Sequence, residues 1–362
     1  MKNSFGNNLT VTLFGESHGE YIGAVLDGLA PGIKIDSAYI GKKLALRRPS
    51  GKISTARVEA DEYSIVSGVF NGFTTGTPLC ILIPNSKKNS ADYGEALDIP
   101  RPGHADFTAR AKYHGFEDHR GGGHFSGRIT AALVAAGAIV GAALEQKGIK
   151  IGSHITELHG AFDRSFEDYE SDIDLLSEKY FPTLGDNAEM NMKKEIEKAA
   201  ARGDSVGGIL ESAIIGLPEG LGEPWFDSME SMLSHGLFSI PGVKGVEFGL
   251  GFAFADVYGS EGNDGFRISD GKVVTESNNN GGINGGITNG MPVVFRTVIK
   301  PTPSIFVKQD SVSLSKMENV DLEISGRHDP AIVHRARAVV DAMAALVVAD
   351  ALTTRFGTDY LA

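Results

Sequence analysis

Short runs of β-branched and aromatic residues alternate along the chain with two long stretches of small apolar residues. The runs Thr10 to Phe14, Leu79 to Ile83 and Val293 to Ile299 lie next to glycine-rich turns, which predicts strands. The stretches Ser126 to Lys147 and Pro330 to Phe356 are rich in alanine, which predicts two helices that approach each other closely at the centre of the molecule. Because strands would cover these helices, we predict an α+β layered architecture.

Glycine-rich segments recur in the same order in two parts of the chain. Gly68–Pro78 matches Gly282–Pro292, and Gly15–Gly19 pairs with Gly203–Gly207. A Gly-Leu-x-x-Gly turn follows each member of the second pair at the same offset. Repeats in one order predict two similar halves related by a pseudo-twofold axis.

These repeats predict a single domain over residues 1–362, with similar halves at about 1–150 and 202–355. A segment at about 160–200, rich in Asp and Glu, separates the two halves. We expect this segment to be a solvated helical insertion without a chemical role.

Composition narrows the class of protein. The chain has 362 residues and a net charge of −12, which argues against general nucleic-acid binding because that requires a basic surface. We find no run of about 18 apolar residues and no apolar N-terminal signal segment, so we expect a cytoplasmic protein without a membrane span. Cys80 is the single cysteine, which excludes an internal disulfide and a cysteine-ligated metal.

Several polar clusters lie in glycine-rich loops, where a ligand can approach the backbone closely. His18 lies within Gly15–Gly19, and for this histidine a loop-capping role and a catalytic role both stay open. Residues 40–60 form a cationic segment with one acidic residue, Glu59. This segment suits an anionic ligand, and a solvated charged face is the alternative. Its basic residues are Lys42, Lys43, Arg47, Arg48, Lys52 and Arg57.

The densest cluster runs from Arg101 to Arg128. Its triple glycine, Gly121–Gly123, leads into the first alanine-rich stretch, and Ser126 is the predicted N-cap of that helix. Free N–H groups at a helix start bind anions. We predict no metal site, because a spacing of five residues puts three histidines on different helix faces. These histidines are His114, His119 and His124.

In this order and spacing, the clusters resemble the chorismate synthase family from about residue 4 to residue 350. The segments that carry the resemblance are Gly15–Gly19, Arg47–Pro49, Ser67–Gly76, Arg101–Asp106, Asp118–Gly123, Gly203–Gly208, Gly281–Ile287 and Gly326–Pro330. The family implies a β-α-β sandwich with central long helices between antiparallel sheets, assembled as a homotetramer.

The resemblance also implies a reaction of the shikimate pathway, which leads to the aromatic amino acids. In it, 5-enolpyruvylshikimate 3-phosphate loses phosphate by anti 1,4-elimination and gives chorismate, and reduced FMN is required although no net redox change occurs. By resemblance, His18 lies against the leaving phosphate and His104 protonates the reduced flavin near N1. Asp329, relayed through Ser17, handles the proton at flavin N5.

The resemblance assigns further residues to ligands. The positions that bind FMN in the family fall on His124, Phe125, Ser126, Pro241, Gly242, Gly285, Lys300, Pro301, Thr302, Pro303, Ser304 and Arg327. Dinucleotide-phosphate positions fall near Arg47 and Lys52, so NADPH is a candidate reductant, and an external flavin reductase is the alternative. Arg48 and Arg128 are our candidates for binding the anionic groups of the substrate.

One stretch departs from the family pattern. The family usually reads Gly-Gly-Gly-Arg-Ser-Ser-Ala-Arg-Glu-Thr, and this chain has His124, Phe125 and Ile129 where the family has Arg, Ser and Glu. Arginine is always charged, whereas histidine titrates near neutral pH.

The loss of a charged hydrogen bond at this position would cost about 1.5–3 kcal/mol. We therefore predict flavin binding that is weaker or dependent on pH, unless His334, Arg335 or Arg337 compensates.

Two other functions are compatible with these residues. A flavin-dependent oxidoreductase on the same scaffold would consume a reductant stoichiometrically, whereas the lyase would not. A non-catalytic paralogue that binds FMN or an anion is the second alternative, and it would have no need for His18, His104 and Asp329 together.

Overall fold

The computed structural model describes residues 2–51, 53–54, 60–85, 98–324, 326 and 328–362. The strands, numbered in chain order, are β1 (Ser4–Phe5), β2 (Thr10–Gly15), β3 (Tyr21–Asp27), β4 (Ser64–Ser67), β5 (Val69–Phe70), β6 (Phe73–Thr74), β7 (Leu79–Pro84), β8 (Lys150–Leu158), β9 (Ala161–Phe162), β10 (Gly208–Ile215), β11 (Val243–Phe248), β12 (Phe266–Ser269), β13 (Lys272–Thr275), β14 (Ile283–Asn284), β15 (Ile287–Thr288), β16 (Val293–Ile299), β17 (Gln309–Ser313) and β18 (Glu318–Leu322). The helices are α1 (Ser37–Arg47), α2 (Asp106–Tyr113), α3 (Thr130–Gln146), α4 (Tyr169–Glu178), α5 (Asp186–Ala201), α6 (Met229–Phe238), α7 (Gly259–Gly262) and α8 (Val333–Phe356).

Two antiparallel sheets of five strands form the outer layers of the described part of the chain. The first has the strand order β1-β2-β3-β7-β4, and the second has the order β11-β16-β10-β8-β9. In β7, Leu79, Ile81 and Ile83 are buried and alternate with more exposed residues, because one face of the strand lies on the core. The predicted α+β class, with long helices between antiparallel sheets, is confirmed.

Helices α3 and α8 lie side by side between the sheets. Helix α3 contacts β3 and β7 of the first sheet, and α8 contacts β8 and β10 of the second. Where the helices meet, a Cβ added to Gly137 would lie 2.5–2.6 Å from Ala342. Small residues therefore set the distance between the helices, as the alanine-rich pattern predicts.

The stretch Gly127–Gln146 corrects one expectation from the sequence. By length and composition it is apolar enough to cross a membrane. In the folded chain 78% of this stretch is buried, and α3 is apolar on all sides because it lies between the two sheets. It is therefore a core helix of this fold.

Helix α3 begins later than the sequence predicts. Three glycines with positive φ, Gly121–Gly123, precede a separate 3₁₀ turn at Gly127–Ile129, and α3 begins at Thr130. Ser126 is not the N-cap of α3, because its hydroxyl accepts the N–H of Arg128 at 3.2 Å and so caps the 3₁₀ turn.

Helix α8 also begins later than predicted, at Val333 instead of Pro330. The carbonyl of Pro330 accepts the N–H of Val206 at 2.8 Å, so this residue joins the loop that precedes β10. This contact ties the start of α8 to the second sheet.

The acidic segment at 160–200 is packed against the rest of the chain, which corrects its prediction as a solvated insertion. Helices α4 and α5 each bury one face, with Leu176 and Ile196 fully buried. Between them, the hydroxyl of Tyr180 donates to the carbonyl of Arg48 at 2.6 Å. The segment therefore supports the cationic loop that follows α1.

The division into two similar halves stays a prediction. The second sheet takes β8 from before the acidic segment and β10, β11 and β16 from after it. The residues of the second sheet therefore begin near residue 150, upstream of the boundary at 202 expected from the repeats.

Candidate active site

The triple glycine brings two histidines from separate loops to adjacent peptide units. Gly121, Gly122 and Gly123 have φ values of 61°, 85° and 52°, a conformation that favours glycine. A Cβ added to Gly121 would overlap the imidazole of His18. A Cβ added to Gly122 would lie 3.3 Å from both Cε1 and Nε2 of His104. The absence of side chains on this loop therefore lets both imidazoles contact it.

Ser17 and His18 occupy the turn that follows β2. The N–H of Gly19 donates to the carbonyl of Glu16 at 3.0 Å and closes the turn, and the N–H of Ser17 donates to the carbonyl of Gly123 at 3.0 Å. Ser17 is 3% exposed and His18 is 4% exposed. This turn and the triple glycine thus form one packed unit.

The orientation of His104 is set by its neighbours in the same loop. Its Nδ1 lies 2.6 Å from the carboxylate of Asp106, which also accepts Nε and Nη2 of Arg101, each at 2.8 Å. An ionised carboxylate only accepts hydrogen bonds, so the proton of the neutral ring lies on Nδ1. Nε2, the nitrogen next to Gly122, is left for exchange of a proton.

The charge on Asp106 follows from the same contacts. Burial alone would raise the pKa of Asp106, but hydrogen bonds from Arg101 and His104 outweigh burial and hold this pKa well below its usual range. The sequence analysis included Asp106 in a motif but gave it no role. Its contact with Nδ1 favours the tautomer of His104 that carries the proton on that nitrogen.

A buried carboxylate that the sequence analysis missed organises the cationic segment. Asp61 accepts Nη2 of Arg47 at 2.9 Å, pairs with Nη1 of Arg128, and lies 3.8 Å from Nε of Arg48. Burial raises the pKa of Asp61, but Arg47 and Arg128 outweigh burial and lower it. The charge count of the sequence analysis ended at residue 60, one residue before this counter-ion.

The three arginines differ in what they can offer a ligand. Arg47 is buried and also donates to the carbonyl of Gly127 at 3.4 Å. Arg128 is buried and also donates to Asn85 and Pro84. The side chain of Arg48 is 32% exposed, so its guanidinium is the most accessible of the three to an anion.

The loop after β16 contacts the loop that carries His104. Nζ of Lys300 donates to the carbonyl of Gly103 at 2.5 Å, and Nη1 of Arg101 lies 3.4 Å from Oγ of Ser304. A Cβ added to Gly103 would lie 3.4 Å from Pro303. Burial, with Lys244 nearby, lowers the pKa of Lys300. The structure thus brings the predicted cofactor loop Lys300–Ser304 to His104.

Asp329 is linked to the cationic segment through Arg335. Its carboxylate accepts Nη1 of Arg335 at 2.8 Å, and Nε of Arg335 donates to the carbonyl of Arg47 at 2.8 Å. Its carbonyl accepts the hydroxyl of Thr302 at 2.6 Å. Asp329 therefore joins the predicted cofactor loop to the cationic segment.

The residues that depart from the family pattern have protein partners. Nδ1 of His124 lies 2.8 Å from the carbonyl of Gly15 and donates to it. Phe125 is 37% exposed and contacts the ring of Tyr113 edge-on, with 6.0 Å between ring centroids. His124 thus supports the Ser17–His18 turn, a role that the sequence pattern did not reveal.

Two of the three residues expected to compensate for His124 contact other parts of the chain. His334 is buried, stacks on Phe181, and lies 3.1 Å from Oγ of Ser54. Burial and nearby cations lower the pKa of His334 to about 3, so it is neutral at pH 7. Arg337 is buried and donates to the carbonyls at the C-terminal end of α4. Arg335 stays a candidate.

The other predicted cofactor positions are spread over the second half. Pro241 and Gly242 follow the C-terminal end of α6, and the carbonyl of Gly242 accepts the N–H of Lys300 at 2.9 Å. Gly285 lies in the β14–β15 turn, and the next residue, Gly286, accepts the N–H of Met229 at the other end of α6. Lys52 and Arg327 lie outside the described residues.

Comparisons with known proteins all indicate the same family. The family model described as Chorismate synthase matches residues 9–353. A chorismate synthase of Thermococcus gammatolerans is 47% identical over 350 residues, which cover 97% of this chain and 97% of the relative. One of Methanosarcina barkeri is 46% identical over 349 residues, which cover 96% of this chain and 95% of the relative. A crystal structure of a chorismate synthase superposes with a TM-score of 0.76 at 30% identity, covering 98% of this chain and 94% of that one.

Proposed function

The chain belongs to the chorismate synthase family of lyases, and from that membership we propose that it converts 5-enolpyruvylshikimate 3-phosphate to chorismate. In this anti 1,4-elimination, the C3–O bond breaks with its electron pair leaving on phosphate, C6 loses its hydrogen, and a second ring double bond forms. The observation that carries the proposal is the contact of His18 and His104 with adjacent glycines of one loop. Two imidazoles in such a site suit a reaction that expels phosphate and moves protons.

Binding of a substrate with one phosphate and two carboxylates requires cations. We propose that Arg48 contacts one of these anions, because Asp61 engages Arg47 and Arg128 more directly. The burial of Arg47 argues against a direct contact with NADPH phosphate. His18, next to the triple glycine, would face the leaving phosphate and stabilise its charge as the C–O bond breaks.

The residues around His104 fit reduced FMN. His104, Gly122 and Phe125 line one cleft, so an imidazole, glycine backbone and an aromatic ring are all available to a ligand there. Bound reduced FMN would supply electron density to the breaking C–O bond. We propose that His124–Ser126, Pro241, Gly242, Gly285, Lys300–Ser304 and Arg327 hold it.

The proton chemistry follows from the hydrogen bonds. We propose that Nε2 of His104 exchanges a proton with the bound cofactor while Asp106 retains the proton on Nδ1. Asp329 and Ser17 are proposed to carry the second proton, as the family resemblance implies. The proposed setting is a cytoplasmic homotetramer, with the flavin reduced by NADPH or by an external flavin reductase.

The direct test of this function is product formation. Purified protein is incubated anaerobically with 5-enolpyruvylshikimate 3-phosphate and chemically reduced FMN, and chorismate and phosphate are both quantified. We expect the two products in equal amounts, and none without the protein. If FMN binds but no chorismate forms, the proposed reaction is wrong and a paralogue with another substrate takes its place.

His124 makes a separate prediction about flavin affinity. Nδ1 of His124 donates to Gly15, so only Nε2 is available to a ligand. Arginine, the usual family residue, keeps its charge and can bind an anion through two N–H groups. We expect His124→Arg to bind reduced FMN about tenfold more tightly than the wild type at pH 8.

Equilibrium fluorescence titrations under anaerobic conditions measure the affinity of each variant for reduced FMN. His159→Asn, a change at an exposed turn after β8, is the control that should behave as wild type. Equal affinities of the wild type and His124→Arg for reduced FMN would contradict the prediction.

A further inference from the structure

A side chain just beyond strand β7 also holds the turn that carries Ser17 and His18. Nδ2 of Asn85 donates to the carbonyls of Glu16 and Gly19, each at 3.0 Å. These are the first and last residues of the turn, so both amide hydrogens of Asn85 bracket His18. The backbone N–H of Asn85 also donates to the carbonyl of Glu20 at 3.0 Å.

The sheet register places Asn85 at this position. Strand β7 ends at Pro84, which pairs with Tyr21 at the start of β3. Asn85 follows β7 directly, and the Ser17–His18 turn directly precedes β3. Because β2, β3 and β7 are neighbours in the first sheet, Asn85 is anchored to the same framework as the turn that it holds.

The orientation of the Asn85 amide is fixed by a charged partner. Its Oδ1 accepts Nε of Arg128 at 2.9 Å, and Arg128 itself pairs with the buried Asp61. Arginine only donates and the two turn carbonyls only accept, so a flipped amide would place donor against donor and acceptor against acceptor. A chain of contacts therefore runs from Asp61 through Arg128 to Asn85 and ends at the turn.

We propose that Asn85 is a positioning residue for His18 and that Arg128 and Asp61 hold Asn85 in its working orientation. This inference rests on the proposed function, because it gives His18 a task in the elimination. It also reassigns Arg128 from substrate binding to support of the turn. Arg48 is then the residue that we expect to bind a substrate anion.

The variant Asn85→Asp separates positioning from general packing. Aspartate has nearly the same shape and still accepts from Arg128, but it has oxygens where the two turn carbonyls need donors. We expect kcat to fall about tenfold to a hundredfold, with KM changed less than about threefold, since displacement of a reacting group by about 1 Å has effects of this size. Asn191→Asp, the same change on the exposed face of α5, should leave both values unchanged.

A second readout is independent of catalysis. Hydrogen exchange measured by mass spectrometry should show faster exchange in Asn85→Asp for peptides that contain residues 15–20, whose Ser17 and Gly19 amides are hydrogen-bonded in the wild type. Peptides from α3 and α8 should exchange as before. If Asn85→Asp does not fold, Asn85→Ser, which has one donor instead of two, replaces it.

The two readouts distinguish the possible failures. If the wild type forms no chorismate, the proposed function fails, and hydrogen exchange still decides whether Asn85 holds the turn. If the wild type is active and the Asn85 variant keeps its kcat, the positioning role is overturned. Faster exchange throughout the molecule would also overturn it, because Asn85 would then support the whole fold.

Discussion

Replacement of Gly121 by alanine is expected to lower kcat by about 10²–10³-fold and leave the protein folded. The added Cβ would overlap the imidazole of His18 and lie 3.0 Å from Oγ of Ser17. His18 is buried, so its ring has little room to move away without leaving the working position. The left-handed backbone of Gly121 adds about 1–2 kcal/mol of strain for alanine.

The control for Gly121→Ala is Gly148→Ala. Gly148 also has a positive φ, 78°, but a Cβ there would meet nothing within 4 Å. The control therefore adds backbone strain without displacing His18, and its kcat should equal that of the wild type. Steady-state kinetics and thermal unfolding of both variants provide the comparison. A kcat of Gly121→Ala within about threefold of the wild type would show that the position of His18 does not limit the reaction.

Asp106→Asn is expected to lower kcat by about 10²–10⁴-fold through the tautomer of His104. The backbone N–H and Nε of Arg101 both donate to Oδ2 of Asp106, so the oxygen of the new amide takes that place. The amide nitrogen then faces Nδ1 of His104 and donates to it. The proton of the neutral His104 ring therefore moves from Nδ1 to Nε2. Because Nε2 then carries a proton, it can no longer accept another.

The matched control for Asp106→Asn is Asp172→Asn. Asp172 also binds an arginine, Arg164, through both carboxylate oxygens, but it lies in α4 of the acidic segment. Nitrogen-15 spectra of the histidine rings report the tautomer, and the pH dependence of kcat reports its effect on turnover. An unchanged His104 tautomer in Asp106→Asn would contradict this assignment even if the activity falls.

The sequence predicts the strands and layers of the fold well where the hydrophobic pattern alone determines them. The strand Val293–Ile299 has the predicted bounds, and β2 and β7 each extend one residue further than predicted. Both helix starts are wrong because residues distant in sequence decide them. The carbonyl of Pro330 is engaged by Val206, and the triple glycine folds around His18 and His104 before α3 begins.

The residues of the candidate site also fall into two groups, those that the sequence identifies and those that only the folded chain brings together. Glycine-rich clusters identified His18, His104 and the triple glycine, because the order and spacing of these clusters resemble the family pattern. Asp61 and Asn85 belong to no motif, and their roles depend on the register of the first sheet and on side chains that meet across it. A charge count extended past residue 60 would have found Asp61, whereas no sequence signal indicates Asn85.

The proposed lyase uses reduced flavin without consuming it, and the ratio of chorismate formed to flavin oxidised tests this property directly. A stoichiometric amount of reduced FMN is added anaerobically to the protein with excess 5-enolpyruvylshikimate 3-phosphate and no other reductant. Chorismate and oxidised FMN are then measured in the same sample. We expect many molecules of chorismate for each flavin, with the flavin still reduced at the end. Oxidation of one flavin for each molecule of product would show that the flavin is consumed and would identify an oxidoreductase.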